Sequence, residues 1–378
     1  MRIAIRGYKE IDSLQNIINQ NELEIVCIID LNAKLWGEEI QQIPIISPMR
    51  ALDYMLKNIF EKVIINPLLG IDKIKDIFNE MVGLGFTIDS IRIPKTTDIY
   101  KKRYISKNDI VSEKYAFNNF KNLSYLEYHI ADKCNLNCAS CSHFAPLVKE
   151  DYYPDLNNIA KDMERLGKIV DYIEQIRILG GEPFLNKDWK KYLEITRCAW
   201  PYSKISIVTN GLLLSELSGE EMDFFIDNDI WIDISLYKPL WNKIDDTVAV
   251  LKKRGIRFEV NGGPVLKFTS VFDIESQDDF RKKRYSCKAS CNNLHKGKLT
   301  PCPVMMYTSF FNEYFEQHLP VGYPINLYDE KLDYKELVDL LKKPMPICRY
   351  CNMRSFKQWK TVNREKCEME DWIVTEKS

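Results

Sequence analysis

Charge of one sign is missing from this 378-residue chain: Lys plus Arg number 53 and Asp plus Glu 54, a formal net charge of −1. No electrostatic attraction draws such a chain to nucleic acid or to an anionic membrane surface, and neither is an expected partner. Long apolar runs are missing too. None reaches the roughly 18 residues of a membrane span, and Met1-Arg2 leads into a short strand-like stretch where a signal peptide would have its apolar core. A cytoplasmic location is the expectation. Cysteine, by contrast, is plentiful, with eleven in the chain. Disulfides do not persist in the cytosol, so clustered cysteines there read as metal ligands or redox groups.

Residues 1–98 alternate short β-branched runs with helical patterns: Arg2 to Ile5, Glu24 to Asp30, Pro44 to Ile46, Lys62 to Asn66 and Ile91 to Ile93. This rhythm predicts a parallel, doubly wound, Rossmann-like sheet. Asp30 closes the second strand where a dinucleotide-binding fold places its ribose-binding acid. The glycine loop such a fold needs is absent, since Gly7 is followed by Tyr8, Lys9 and Glu10, which would keep a pyrophosphate off the backbone. A docking or regulatory domain is the expectation. The stretch from Cys27 to Pro67 resembles the Rossmann-like N-terminal domains of enzymes that build bacterial surface sugars, some of which bind a nucleotide-sugar.

Cys134, Cys138 and Cys141 lie in HIADKCNLNCASCSHF, a C-x3-C-x2-C spacing after the strand-like run Leu126 to Ile130. Three thiolates this close suit three corners of a four-iron, four-sulfur cluster with its fourth iron open. A tetrahedral zinc would need a fourth ligand, with His143 the nearby candidate. Downstream, strand Ile176 to Leu179 runs into Gly180-Gly181-Glu182-Pro183, Lys204 to Val208 into Thr209-Asn210-Gly211, and Trp231 to Leu236 carries Ser235. Helical patterns such as Leu156 to Tyr172 and Met222 to Asn228 separate these strands, the latter behind a Ser218/Glu221 capping box. Residues 120–285 therefore read as a partial (β/α) barrel of TIM type, with every motif at the carboxyl ends of its strands.

The triplet and the Gly-Gly-Glu-Pro turn, in this order, resemble the radical S-adenosylmethionine (radical SAM) superfamily. The resemblance implies a reduced cluster that cleaves S-adenosylmethionine to a 5′-deoxyadenosyl radical, which takes a hydrogen from a substrate carbon. It also implies that Cys134, Cys138 and Cys141 hold the cluster. Glu182 would hold the cofactor ammonium, Gly180 and Gly181 would let the backbone approach it, and Asn210 and Ser235 would contact its ribose and carboxylate. For these last two, turn capping is the alternative. The family's usual aromatic before the third cysteine is Ser140 here, so Phe144 or the strand Phe258 to Val260 would supply that contact.

From residue 286 the rhythm stops and cysteines gather again. Cys287, Gly297 and Cys302 followed by Cys348-x2-Cys351 resemble the SPASM auxiliary-cluster extension or its shortened twitch form. This implies one auxiliary four-iron cluster on Cys287, Cys302, Cys348 and Cys351, over a domain spanning 286–378. A zinc ribbon is the alternative. Gly297 would sit in a hairpin turn joining Cys287 and Cys302. Cys291 is surplus and reads either as a ligand or as a catalytic thiol that returns hydrogen to a substrate radical. Cys27 and Cys198 read as buried small hydrophobes, and Trp359 and Trp372 as part of a helix packed on a domain face.

The functional expectation is an oxidoreductase, a dehydrogenase or its redox-neutral epimerase variant. Its substrate would be a sugar or nucleotide-sugar of bacterial surface-polysaccharide biosynthesis, and its electrons would come from flavodoxin or ferredoxin. The alternatives are a maturase of ribosomally made peptides and a non-enzymatic iron-sulfur redox protein.

Overall fold

The computed structural model describes residues 1–7, 18, 22–65, 71–92, 121–150, 152–200, 203–261, 264–287, 291–352 and 354–375. The turn Tyr8 to Glu10, Asn66, Pro67 and the stretch 93–98 lie outside the described residues. The chain divides into two compact units: Met1–Asn122 with Ala199–Tyr202, and Leu123–Cys198 with Ser203–Ser378.

The first unit is built on a sheet of β1 (Arg2–Arg6), β2 (Glu24–Ile29), β3 (Glu39–Ile40), β4 (Ile43–Ile46), β5 (Lys62–Ile65) and β6 (Ile91–Arg92), in the order β3-β4-β2-β1-β5-β6. All neighbours run parallel except β3 and β4, which form an antiparallel edge. Successive side chains feed opposite faces. Ala4, Cys27, Ile29, Val63 and Ile65 pack with Ala51 of α1 (Pro48–Leu56) and Met81 of α2 (Ile71–Gly83). Ile3, Ile5, Ile28, Ile45 and Ile64 meet Ile18 and Leu23 on the other face. Cys27 is buried as expected, and that burial pushes its thiol up to about 12. Asp30 follows directly on β2, and its carboxylate faces Arg6 at 3.7 Å and accepts from the Asn32 amide.

In the second unit β7 (Asn122–Ala131), β8 (Tyr172–Gly180), β9 (Lys204–Thr209), β10 (Ile230–Ser235) and β11 (Phe258–Asn261) lie side by side in chain order. Between them run α3 (Leu156–Ile169), α4 (Trp189–Ala199), α5 (Gly219–Asp227) and α6 (Ile244–Arg254). The neighbours from β8 to β11 are parallel. This is the partial (β/α) barrel that the alternating pattern predicted. After β12 (Lys267–Thr269) and α7 (Phe280–Ser286), β13 (Asn293–His295) joins the free side of β7 in parallel. Then β14 (Lys298–Thr300) and β15 (Ile325–Asn326) extend the same sheet. Lys296 and Gly297 make the β13–β14 turn with φ of 49° and 70°, as the hairpin reading of Gly297 expected. After α8 (Pro303–Phe315) and α9 (Tyr334–Lys342), β16 (Phe356–Gln358) pairs antiparallel with β12.

Asp155 caps α3 through the Asn158 amide. One local signal read correctly: the Ser218/Glu221 capping box opens α5. Others did not. The helix expected to reach Tyr172 stops at Ile169, because Val170 turns extended and the strand claims everything from Tyr172. Cys198 is exposed: α4 buries Trp189, Tyr192, Leu193 and Thr196, and Cys198 falls on the opposite side of the turn. Trp359 and Trp372 belong to no α-helix; Trp359 follows strand β16, and Trp372 ends a single 3-10 turn.

One glycine offers a stability test. Gly167 lies inside α3 with nothing within 4 Å of an added Cβ. Gly167→Ala should raise unfolding free energy by about 0.5–1 kcal/mol, read as a higher urea midpoint at unchanged slope. A lower midpoint would mean that α3 needs the missing side chain.

Candidate active site

The outer face of the barrel sheet is apolar. Leu126, Tyr128, Ile130, Ile176, Ile178, Ile205, Ile207, Ile232 and Ile234 are all essentially inaccessible, and Tyr128 bonds Thr196 of α4 at 2.7 Å. The opposite, concave face is polar. Arg177 of β8 pairs with Asp233 of β10 at 2.8 Å, and Ser206 of β9 donates to the same carboxylate. On β7, Glu127 accepts from Tyr125 and, at 2.7 Å, from Asn293 of β13. His129 is held through Nδ1 by Asp132 at 2.8 Å and stacks on Tyr307 at 4.1 Å between ring centres. Buried polar atoms without a hydrogen-bond partner gather on this face: Arg177 Nε, Asp233 Oδ1, Asn293 Oδ1, His129 Nε2 and Tyr307 Oη. Each such atom costs stability unless a guest pairs with it.

The cysteine triplet occupies the loop at the carboxyl end of β7. Cys134 Sγ accepts from the Leu136 amide at 3.4 Å, and Cys138 Sγ accepts from the Trp359 indole N–H at 3.2 Å. His143 hydrogen-bonds Cys141 and lies 3.7 Å from Glu127. Burial opposes charge on this imidazole, yet its contact with Cys141 and the nearby Glu127 carboxylate carry it up to about 9. Cys141 responds in the other direction: burial would raise it, but the His143 contact holds it below the usual thiol value. Burial pushes Cys134 up to about 12 and Cys138 higher still. Buried thiols of this kind ionise when cationic iron takes the proton's place, and N–H donors aimed at the sulfurs suit the thiolates that result. The donor set therefore fits a cluster. Among the described residues no three His, Cys, Asp or Glu side chains converge as a single metal ion would require. Thiolates that bind separate irons need not converge in that way.

Gly180 and Gly181 permit a close approach, and the partner in that approach is the cysteine loop. A Cβ on Gly180 would lie 1.9 Å from the Ala131 carbonyl oxygen, and one on Gly181 2.1 Å from that of Lys133. The Gly181 and Glu182 amides donate to those same carbonyls at 2.7 and 2.9 Å. Glu182 is fully buried, accepting from Thr209 Oγ1, the Asn210 amide and the Phe184 amide. Burial raises its carboxyl to about 7 against these donors. Asn210 donates to Asn135 at 2.7 Å and accepts from the Leu212 amide, the turn-capping role weighed for it. Ser235 ends β10, and its side chain hydrogen-bonds Tyr237. One buried network thus brings the triplet, Gly180-Gly181-Glu182 and Asn210 together.

Two residues here had no motif to announce them. Tyr237 stacks on Trp359 at 6.0 Å, and its buried hydroxyl is held protonated by burial and by all three cysteines of the triplet. Trp359 arrives from 221 residues downstream of Cys138. The segment around it is sewn to the cysteine loop: Ala139 donates to Lys360, Val362 to Asn137, and the Trp372 indole to Cys141. Ser140 takes part in this cover: it is buried, and its hydroxyl donates to the Asp371 carbonyl. The polar inner face did leave a trace, the alternation Tyr125, Glu127, His129 along β7.

At the other cysteine group, Cys302 is pushed up to about 12 and Cys351 to about 11 by burial, with Cys287 and Cys348 adding to both. Those four thiols thus lie within electrostatic reach of one another. Cys291 accepts from the Asn293 side chain through its carbonyl oxygen.

Residues 128–267 match the profile of the Radical SAM superfamily. A GTP 3',8-cyclase from Geobacter sulfurreducens is 31% identical over 105 residues, 26% of this chain and 31% of that enzyme. The chain thus matches about a third of the length of such curated relatives. Among solved structures, BtrN in complex with AdoMet and 2-DOIA aligns over 62% of this chain and 94% of its own, at 17% identity and a TM-score of 0.39. An anSMEcpe structure with bound AdoMet aligns over 61% and 83%, at 14% identity and the same score. Residues 128–267, which carry the triplet and the Gly-Gly-Glu-Pro turn, are thus a radical SAM domain, of a family that uses a four-iron, four-sulfur cluster and S-adenosylmethionine.

Proposed function

We propose that the chain oxidises an alcohol carbon of a sugar-like small molecule, of the kind consumed in bacterial surface-polysaccharide synthesis. Cys134, Cys138 and Cys141 hold the cluster in this reading, and Glu182, Asn210 and Ser235 surround S-adenosylmethionine. Gly180 and Gly181 hold that arrangement against the cysteine loop. With the cluster reduced by flavodoxin or ferredoxin, the bound pair supplies a hydrogen-atom abstractor. The carbon then loses a hydrogen atom, its hydroxyl a proton, and one electron remains to be taken up. Cys287, Cys302, Cys348 and Cys351 form an auxiliary cluster for that electron, closed to substrate because four thiolates fill its ligand positions.

The observation that carries this reading is the inner face of the barrel. Glu127, Arg177, Asp233 and Asn293 present charged and amide groups, with polar atoms still unpaired, to whatever enters. A polyhydroxylated guest pairs with such groups, whereas an apolar one would leave them stranded. The curated cyclases carry no substrate over to this chain, because the match spans 105 residues.

The test is to incubate the reduced, reconstituted protein with S-adenosylmethionine and a panel of nucleotide-sugars, then quantify 5′-deoxyadenosine, methionine and keto-sugar. Cofactor cleavage that only precursor peptides stimulate would make the chain a peptide maturase. No cleavage at all would leave an iron-sulfur redox protein. Cys291→Ala separates the two sugar chemistries: a dehydrogenase should turn over as before, whereas an epimerase that returns hydrogen from Cys291 should stall with both clusters intact. Loss of auxiliary iron would instead make Cys291 a ligand.

A further inference from the structure

A hydrogen bond from a distant part of the chain falls on one sulfur of the triplet. The Trp359 indole nitrogen lies 3.2 Å from Cys138 Sγ, and its amide is pinned by the Leu266 carbonyl at 2.9 Å. The ring is steadied by Tyr237, stacked at 6.0 Å with planes inclined by 28°. The peptide after it is fixed by Ala139 and Val362, which bond across to Lys360 and Asn137. Lys360 is held in turn by Asp371 at 2.7 Å. An indole N–H has one proton to donate and accepts nothing, so its orientation toward sulfur is not interchangeable with another role.

We infer that Trp359 is a positioning residue for the triplet cluster, whose N–H sets the cluster's reduction potential through Cys138. A hydrogen bond to a cluster thiolate withdraws negative charge from sulfur. It therefore favours the reduced, more negative form of the cluster and raises its potential. The indole N–H makes the cluster easier to reduce by the external donor. The C-terminal segment becomes part of the redox chemistry of a site that lies more than 200 residues earlier in the chain. This inference rests on the reading that Cys134, Cys138 and Cys141 hold the cluster.

Trp359→Phe keeps a ring against Tyr237 and removes only the donor. In the reconstituted holoenzyme it should leave iron content unchanged and lower the ratio of reduced to oxidised triplet cluster at a fixed poise about fivefold, the worth of one net hydrogen bond. The triplet cluster is followed by the paramagnetic resonance signal that S-adenosylmethionine perturbs, which separates it from the auxiliary cluster. Normal iron with an unshifted potential overturns the inference. A measurement on the unaltered chain stands beside it: with 15N-indole tryptophan, the reduced cluster should show a nitrogen coupling from one indole. Absence of that coupling overturns the inference even if Trp359→Phe does not fold. Failure of the parent reading looks different, since the wild-type protein would then hold no cluster that responds to S-adenosylmethionine.

Discussion

Replacing Cys134, Cys138 and Cys141 together with alanine is expected to lower the iron of the reconstituted protein from about eight atoms per chain to about four, and to abolish cleavage of S-adenosylmethionine. The remaining iron belongs to the group formed by Cys287, Cys302, Cys348 and Cys351, whose thiols influence one another but do not include the triplet among their partners. Separate cysteine sets should lose their iron separately. The fold should survive, because each alanine replaces a small side chain whose neighbours are largely backbone and indole N–H groups. Iron analysis with the visible absorption of the variant checks both halves. Loss of all iron would mean that the two cysteine sets depend on each other for assembly, and stoichiometric zinc in the wild type would remove the cluster reading altogether.

Gly181→Ala should be more damaging than any single cysteine change to stability. Its Cβ would stand 2.1 Å from the Lys133 oxygen, 2.2 Å from the Lys133 carbonyl carbon and 2.7 Å from the Cys134 amide nitrogen. All three are backbone atoms, so no side chain can swing aside. The hydrogen bonds from Gly181 and Glu182 into the loop, at 2.7 and 2.9 Å, would have to lengthen. Separating the two segments also loosens the network by which Glu182 joins Thr209 and Asn210. A loss of about 4 kcal/mol or more is expected, at the upper end for one added methyl group. Denaturant unfolding beside Gly167→Ala, the same chemical change in open space, isolates the steric part. A Gly181→Ala protein as stable as wild type would show that the two loops do not touch as described.

What could be read from the sequence follows from the range of the interaction involved. The strands of both sheets, the capping box at Ser218 and the Lys296-Gly297 hairpin are local matters of periodicity, side-chain oxygen placement and tolerance of positive φ. The triplet and the Gly-Gly-Glu-Pro turn were visible because spacing and residue type carry their chemistry. The work done by Gly180 and Gly181 was not visible, since a glycine tells that something comes close without telling what. Trp359 read only as part of a packed helix, because its partner lies 221 positions away and nothing near it in sequence points to that partner. The exposure of Cys198 was missed because an apolar neighbourhood in sequence can fall on the outward side of a helix.

The ties between the C-terminal segment and the cysteine loop also bear on how the protein is made. Ser140 and Cys141 wait for Asp371 and Trp372, partners 231 residues later in the chain. At a synthesis rate of about 5–20 residues per second, the loop leaves the ribosome roughly 10 to 45 seconds before the residues that cover it. During that interval its thiols lack their backbone cover and their indole donor. Nascent chains halted before residue 359 should therefore expose Cys134, Cys138 and Cys141 to iron-sulfur donors, or to oxidants, more freely than the finished protein does.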